Sequence, residues 1–257
     1  MLLRETGFTF NGQHSRTMGW QYAEKNGHPL TGSVTQNEYS IAGRSESIVF
    51  PGETRGALMF AGSLYPLSEP ADQTQAQQML RSLQGWLDVG QQRLIFDYEP
   101  NVYYDAALYD GAEWSLANWF GGELAITFRA QPYATAIVGR AAQDLLGKGS
   151  STMTLMVSGA QYTPTLIELA VINGKLTGAS LCNGAVALSG LELTSGDKLT
   201  IDSSVPASIT GPDGPLFASC TSFAPILASP GANTYPITLA GTSSLSVRAT
   251  VTAHERW

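Results

Sequence analysis

The segment ELAITFRA, residues 123–130, alternates without a break: Leu124, Ile126, Phe128 and Ala130 fall on one side, Glu123, Ala125, Thr127 and Arg129 on the other. A period of two is that of a half-buried strand, so the pattern predicts a β-strand that ends before Pro132. In DQTQAQQMLRSLQGWLDVG, residues 72–90, the period changes: Ala76, Met79, Leu80, Leu83, Trp86 and Leu87 recur at helical spacing. Asp72 as N-cap, Gln75 three residues on and Gly90 as a stop complete the signature of one amphipathic helix covering a sheet. GRSESIVFPGETRGALMF, residues 43–60, reads as two strands around a Pro51–Gly52 turn, since proline fixes the first corner and glycine permits positive φ at the next.

Further on, PYATAIVGRAAQDLLGKGSS, residues 132–151, loses the alternation and gains small residues, which suggests a connector with room for a short helix. Short strands then follow at intervals of roughly ten residues, the spacing of a sandwich or jelly roll. They are TLIELAVI (165–172), VALSGLEL (186–193), DKLTID (197–202), PASIT (206–210), YPITL (235–239) and SLSVRATVTA (244–253), with turns at NGK, SGD and GPDGP. In the last of them Leu245, Val247, Ala249, Val251 and Ala253 face one way, and a one-residue slip would invert the whole face. The expected organisation is a first domain over 1–135, a linker over 136–151 and a second domain over 152–257, with the last strand either in the sandwich or returned to the first domain.

Composition sharpens the division. Of 24 aromatic residues, 19 lie at or before Tyr133, leaving Tyr162, Phe217, Phe223, Tyr235 and Trp257 for the rest of the chain. Two domains with different core chemistry account for this better than one. The 257 residues suffice for two cores, and 27 Gly with 13 Pro indicate a turn-rich, mainly β chain.

A net charge of −7 offers phosphates no basic surface, which argues against nucleic-acid binding. No apolar run approaches the ~20 residues of a spanning helix, and Arg4 and Glu5 interrupt the start where a signal peptide would be apolar, so synthesis in the cytoplasm is expected. Cys182 and Cys220 lack any CxxC or Cys/His company and are expected to be buried and reduced rather than bridged. His14, His28 and His254 show no metal-ligand spacing and read as surface or loop residues. GRAAQDLLGKGS is no phosphate loop: the glycine spacing is too long and Lys148 is followed by Gly149. There is no GxSxG elbow either.

The densest chemistry lies in LIFDYEPNVYYDA, residues 94–106. In an extended run Asp97 and Glu99 share a face with Cα atoms about 6.5 Å apart, a separation compatible with a glycosidase pair. Nothing in the flanks raises either acid's pKa as a general acid requires. Leu94, Phe96 and Tyr98 would form the core face and Pro100–Asn101 the turn. A sandwich could bind sugar through aromatic platforms, but five aromatics in the second half leave little material for one.

Several segments taken in order resemble a known family. FTFNGQHSRTMGW, IAGRSES, the helix ending in GWLD, LIFDYEPNVYYDA and ITFRAQPYA are similar to the N-terminal belt domain of siphovirus distal tail proteins. LTIDSSVPASITGPDGPLF and FAPILASPGANTYPITL are similar to that family's second half, although Ala224 stands where its pattern often shows Pro. The resemblance implies a mainly β protein: an N-terminal β belt domain with one covering α-helix, then a galectin-like C-terminal β-sandwich. It also implies a structural hub, not an enzyme, at the tip of a phage or prophage tail. There a homo-hexameric ring would join the tail tube protein to tail-tip and receptor-binding proteins, and DNA would pass through without specific binding. No catalytic, cofactor or metal site is expected, and the His, Asn, Arg and Trp constellation of true galectins is missing. Heterologous ring contacts favour buried aromatics, which makes Tyr103, Tyr104, Tyr109, Trp114, Trp119 and Phe120 the candidate interface residues. A carbohydrate-binding adhesin and a glycoside hydrolase using Asp97 and Glu99 stay open as alternatives.

Overall fold

The computed structural model describes residues 6–25, 27–29, 32–40, 47–110 and 122–257, with 34–40 and 47–54 described as backbone. The chain is mainly β and falls into two compact units, Met1–Ala134 and Thr135–Trp257.

The first unit holds β1 (Phe8–Phe10), β2 (Gln13–His14), β3 (Trp20–Glu24), β4 (Val34–Ser40), β5 (Ser47–Arg55), β6 (Leu58–Pro66), α1 (Gln73–Leu87), β7 (Gln92–Phe96), β8 (Val102–Asp110) and β9 (Leu124–Ala130). Its main sheet runs β2-β1-β7-β8-β9-β6-β3, all neighbours antiparallel. The two ends of this path meet. Thr6, just ahead of β1, donates its N–H to the Tyr22 carbonyl (3.3 Å) and accepts from the Tyr22 N–H (3.2 Å), so the sheet curls closed and few strand edges stay free. Phe8, Phe10, Tyr22, Phe60, Leu64, Leu94, Phe96, Leu124 and Phe128 fill the interior. The β9 alternation reads as expected, with Leu124, Ile126, Phe128 and Ala130 all buried.

Helix α1 begins as its sequence predicts: the Asp72 carboxylate accepts the Gln75 N–H (2.7 Å), and the Gln75 side-chain oxygen reaches back to the Ala71 N–H (2.6 Å). It buries Ala76, Leu83, Trp86 and Leu87, while Met79 and Leu80 are half-buried. Trp86 stacks on Phe8 (5.4 Å, 8°) and donates its indole N–H to the Phe10 carbonyl (2.8 Å), fixing the helix to the first strand.

Two expectations fail here. Pro51–Gly52 is not a hairpin turn; β5 continues through it to Arg55, and Gly56–Ala57 separate it from β6. Strands β4 and β5 form a two-stranded ribbon whose register shifts between Thr35 and Asn37, so that Phe50 and Thr54 bracket the irregularity opposite. A bulge leaves residues out of the ladder, which lets proline, with no N–H to give, lie inside a strand. Residues 136–151 are not a plain linker either: Arg140–Gly147 and Gly149–Val157 are strands of the second unit.

The second unit is a sandwich of two antiparallel sheets. One runs Arg140–Gly147, Ser246–Ala253, Thr163–Asn173, Lys198–Asp202, Ser208–Gly211 and Gly214–Pro215, with Leu227–Ala228 also on Thr163–Asn173. The other runs Gly149–Val157, Gly231–Gly241, Lys175–Leu181, Val186–Thr194 and Cys220–Phe223. The last strand lies between Arg140–Gly147 and Thr163–Asn173, and its Leu245, Val247, Ala249, Val251 and Ala253 are all buried. Aliphatic side chains of both sheets make the core, with Tyr235 as its one fully buried aromatic, its phenol pushed up to about 12 by burial first and then by Cys182. Cys182 and Cys220 are free thiols, both half-buried.

Glu255 closes this unit. Its carboxylate is 8% exposed, yet it accepts the Ser158 N–H (2.8 Å) and the Arg140 guanidinium (3.3 Å). Burial works against its charge, but these donors win and hold it below the usual carboxylate range. A depressed folded-state pKa contributes stability that is present above the unfolded value and lost as pH falls through the folded one. Glu255→Gln should therefore cost about 1–2 kcal/mol at pH 7. The gap between variant and wild type should narrow as acid unfolding is followed from about pH 5 to pH 3; a pH-independent gap would disprove the charge's role.

Candidate assembly surface on the first unit

Strand β8 sorts its aromatics by alternation. Tyr104 and Ala106 point inward and are buried, whereas Tyr103, Asp105 and Ala107 lie on the outer face. Tyr109 continues the outer series and is 58% exposed; it is the residue left out of the ladder where the register with β9 shifts between Leu108 and Asp110. Of the expected interface residues, Tyr103 and Tyr109 thus face outward. Tyr104 belongs to the core, and Trp114, Trp119 and Phe120 lie outside the described residues.

Each outward tyrosine carries an arginine. The Arg93 guanidinium sits 4.5 Å from the centre of the Tyr103 ring, and that of Arg129 sits 5.8 Å from the Tyr109 ring. Such contacts hold a long cationic side chain against an apolar plate and leave its N–H donors directed outward. Beside Tyr109 a groove of about 550 Å³ opens between the ends of β5, β8 and β9, lined among others by Arg55, Asp105, Leu108, Tyr109, Arg129 and Pro132. Across the sheet, Met59 stands opposite Arg129 and is 41% exposed. This face is half apolar and locally basic within an acidic chain.

Asp97 and Glu99 are not on a strand face. Strand β7 ends at Phe96, and both acids lie in the turn to β8, where the Glu99 N–H bonds to the Phe96 carbonyl (3.0 Å). Asp97 is used locally: one oxygen accepts the Gly7 N–H (2.8 Å) and the other meets His14 Nε2 (2.9 Å), tying the turn to the start of the chain. Tyr98, expected in the core face, is 38% exposed but stacks on Phe96 (5.1 Å, 10°).

Glu99 joins a cluster that sequence reading missed. The Tyr104 hydroxyl donates to Glu99 Oε2 (2.8 Å), so its oxygen is left to accept from His28 Nε2–H (2.9 Å). On the other side of the ring, His28 Nδ1 meets the Tyr98 hydroxyl (2.9 Å). The ring also packs on Phe60 (5.1 Å) and lies edge-on to Phe96 (5.9 Å), so His28, on the loop after β3, is packed and hydrogen-bonded. Burial first, then neighbouring carboxylates, push the phenols of Tyr22, Tyr98 and Tyr104 up. Tyr98 and Tyr104 keep their hydroxyl protons for the cluster at neutral pH, whereas the Tyr22 hydroxyl is buried without a hydrogen-bond partner. The cluster is a tie between the chain after β3 and the β7–β8 turn. No group of His, Cys, Asp or Glu suited to a metal occurs among the described residues, and no helix among them is long and apolar enough to cross a membrane.

No family model and no curated protein matches the sequence. Solved structures do match the fold. The crystal structure of the SPP1 Dit (gp 19.1) protein, described as a paradigm of the hub adsorption apparatus in phages that infect Gram-positive bacteria, is similar over 98% of this chain and 99% of that one, with a TM-score of 0.69 and 14% identity. A chain of the phage P2 baseplate, in its activated conformation with Ca, is similar over 97% of this chain and 98% of its own, with a TM-score of 0.57 and 12% identity. The chain therefore has the fold of a phage tail hub protein from end to end.

Proposed function

We propose that this chain is a distal tail protein, a structural hub at the tip of a long phage or prophage tail. Copies of the first unit associate into a six-membered ring between the tail tube protein and the tail-tip and receptor-binding proteins. The observation that carries the reading is the end-to-end likeness to the SPP1 hub protein, which spans both units rather than one common β module. The chemistry of the first unit agrees with it. Its closed sheet presents an outer face bearing Tyr103, Tyr109 and stacked arginines, residue types enriched where proteins meet. The two acids once candidates for sugar hydrolysis are engaged in holding a turn together. A net charge of −7 suits a ring through which DNA slides without sticking. Its place would be the virion tail tip, after synthesis in the bacterial host.

Six copies of a 27.3 kDa chain give about 160 kDa. Light scattering over a concentration series should show a species of that mass, and negative-stain micrographs should show annular particles. A mass that stays at one chain up to the highest concentration, with no rings on the grid, would overturn the reading.

A further inference from the structure

On that reading each copy needs two unlike patches that fit one another, because a ring contact is heterologous. The groove beside Tyr109 has the character of one of them. Two guanidiniums, Arg55 and Arg129, line it against one carboxylate, Asp105, and neither arginine has an ion pair among the described residues; Arg129 lies over the face of Tyr109. The chain has 14 basic and 21 acidic residues, so unpaired guanidiniums gathered beside an apolar wall call for an acidic, partly apolar occupant.

The first unit offers such a segment elsewhere. Its exposed large apolar side chains, among the described residues, are Met59, Leu67, Val89, Tyr98 and Tyr109. Met59 and Tyr109 belong to the groove's own margin, and Val89 stands two residues before Gln91, which also lines it. Tyr98 is committed to His28, with its neighbour Glu99. Leu67 remains. It is 50% exposed and held at a fixed point by its N–H to the Gly19 carbonyl (2.9 Å). Two residues later Glu69 is exposed and without an ion pair among the described residues. Strand β6 separates the two features: Ala57, at its start, lines the groove, and Leu67 follows its end. Nine residues of strand span about 27 Å, too far for one copy to fill its own groove.

We propose that the groove receives the Leu67–Glu69 segment of a second copy of this chain, with the Glu69 carboxylate on Arg129 and Arg55 and Leu67 against Leu108 and Pro132. The proposal rests on the ring reading above and names the contact that closes it. Fixed at opposite ends of one strand, the two patches repeat with the same offset from copy to copy.

The test is a charge swap in the full chain, read as the association constant from sedimentation at several concentrations. Glu69→Arg and Arg129→Glu should each weaken association at least tenfold, and the double variant should recover to within about threefold of wild type. Both positions are exposed, so melting temperatures should hold; should Arg129→Glu melt low, Arg129→Gln keeps the packing, loses the charge, and should still weaken association. If wild type associates but the double variant is as weak as the two losses multiplied, the proposed contact is wrong and the ring reading stands. If wild type never associates, both fall.

Discussion

Replacing Trp86 by alanine is expected to cost the first unit about 3–5 kcal/mol, the range for emptying a buried aromatic site. Trp86 is 4% exposed and stacked on Phe8, which in turn has the edges of Tyr22 (5.2 Å) and Phe128 (5.3 Å) against it. Four aromatic planes around one point cannot close over the cavity without losing each other's contacts. The indole hydrogen bond to Phe10 adds a term that geometry allows to be separated. Trp86→Phe keeps a ring on Phe8 and gives up the bond and some volume, so it should cost about 1–2 kcal/mol. Urea unfolding followed by circular dichroism should show two transitions, because each unit has its own core, and only one should move. Equal costs for the two variants would mean that the stack contributes nothing. A shift of both transitions would mean that the units do not unfold independently.

The elements legible in the sequence were those whose burial is regular. Strand β9 and helix α1 each present one dry face at one period, and the structure keeps both faces. Arg140–Gly147 was unreadable for the opposite reason: Leu146 is its only buried residue, so an edge strand showed no alternation to find. In Gly149–Val157 the buried Met153, Leu155 and Val157 do alternate, but the exposed Met156 blurs the pattern. Pro51 misled because a bulge, which depends on the partner strand, accommodates what the local sequence reads as a corner. The assembly surface was half legible. Alternation along β8 separates Tyr103 and Tyr109 from Tyr104, but the groove beside Tyr109 is completed by residues of β5 and β9, which no local pattern brings together. The His28 cluster left no local trace, since its tyrosine partners stand 70 and 76 positions away.

Gly62→Ala is expected to cost the first unit about 3 kcal/mol, a large effect for a single methyl group. A Cβ at Gly62 would lie 2.2 Å from Cε2, 2.4 Å from Cζ and 2.5 Å from the hydroxyl of Tyr22. The ring cannot swing aside: Tyr22 is wholly buried, edge-on to Phe8 and tilted against Phe96 (5.9 Å). Its backbone cannot yield cheaply either, since Tyr22 makes the two bonds to Thr6 that close the sheet. Glycine at this position therefore reflects a close approach rather than a turn. Tyr22→Leu removes the atoms in conflict at the cost of a cavity, itself about 2–3 kcal/mol. If the clash is the cause, Gly62→Ala combined with Tyr22→Leu should cost at least about 1 kcal/mol less than the sum of the single changes. Chemical denaturation of the four proteins measures that coupling. Strict additivity would show that the damage at Gly62 arises elsewhere, and that Tyr22 does not set the spacing at which the sheet closes.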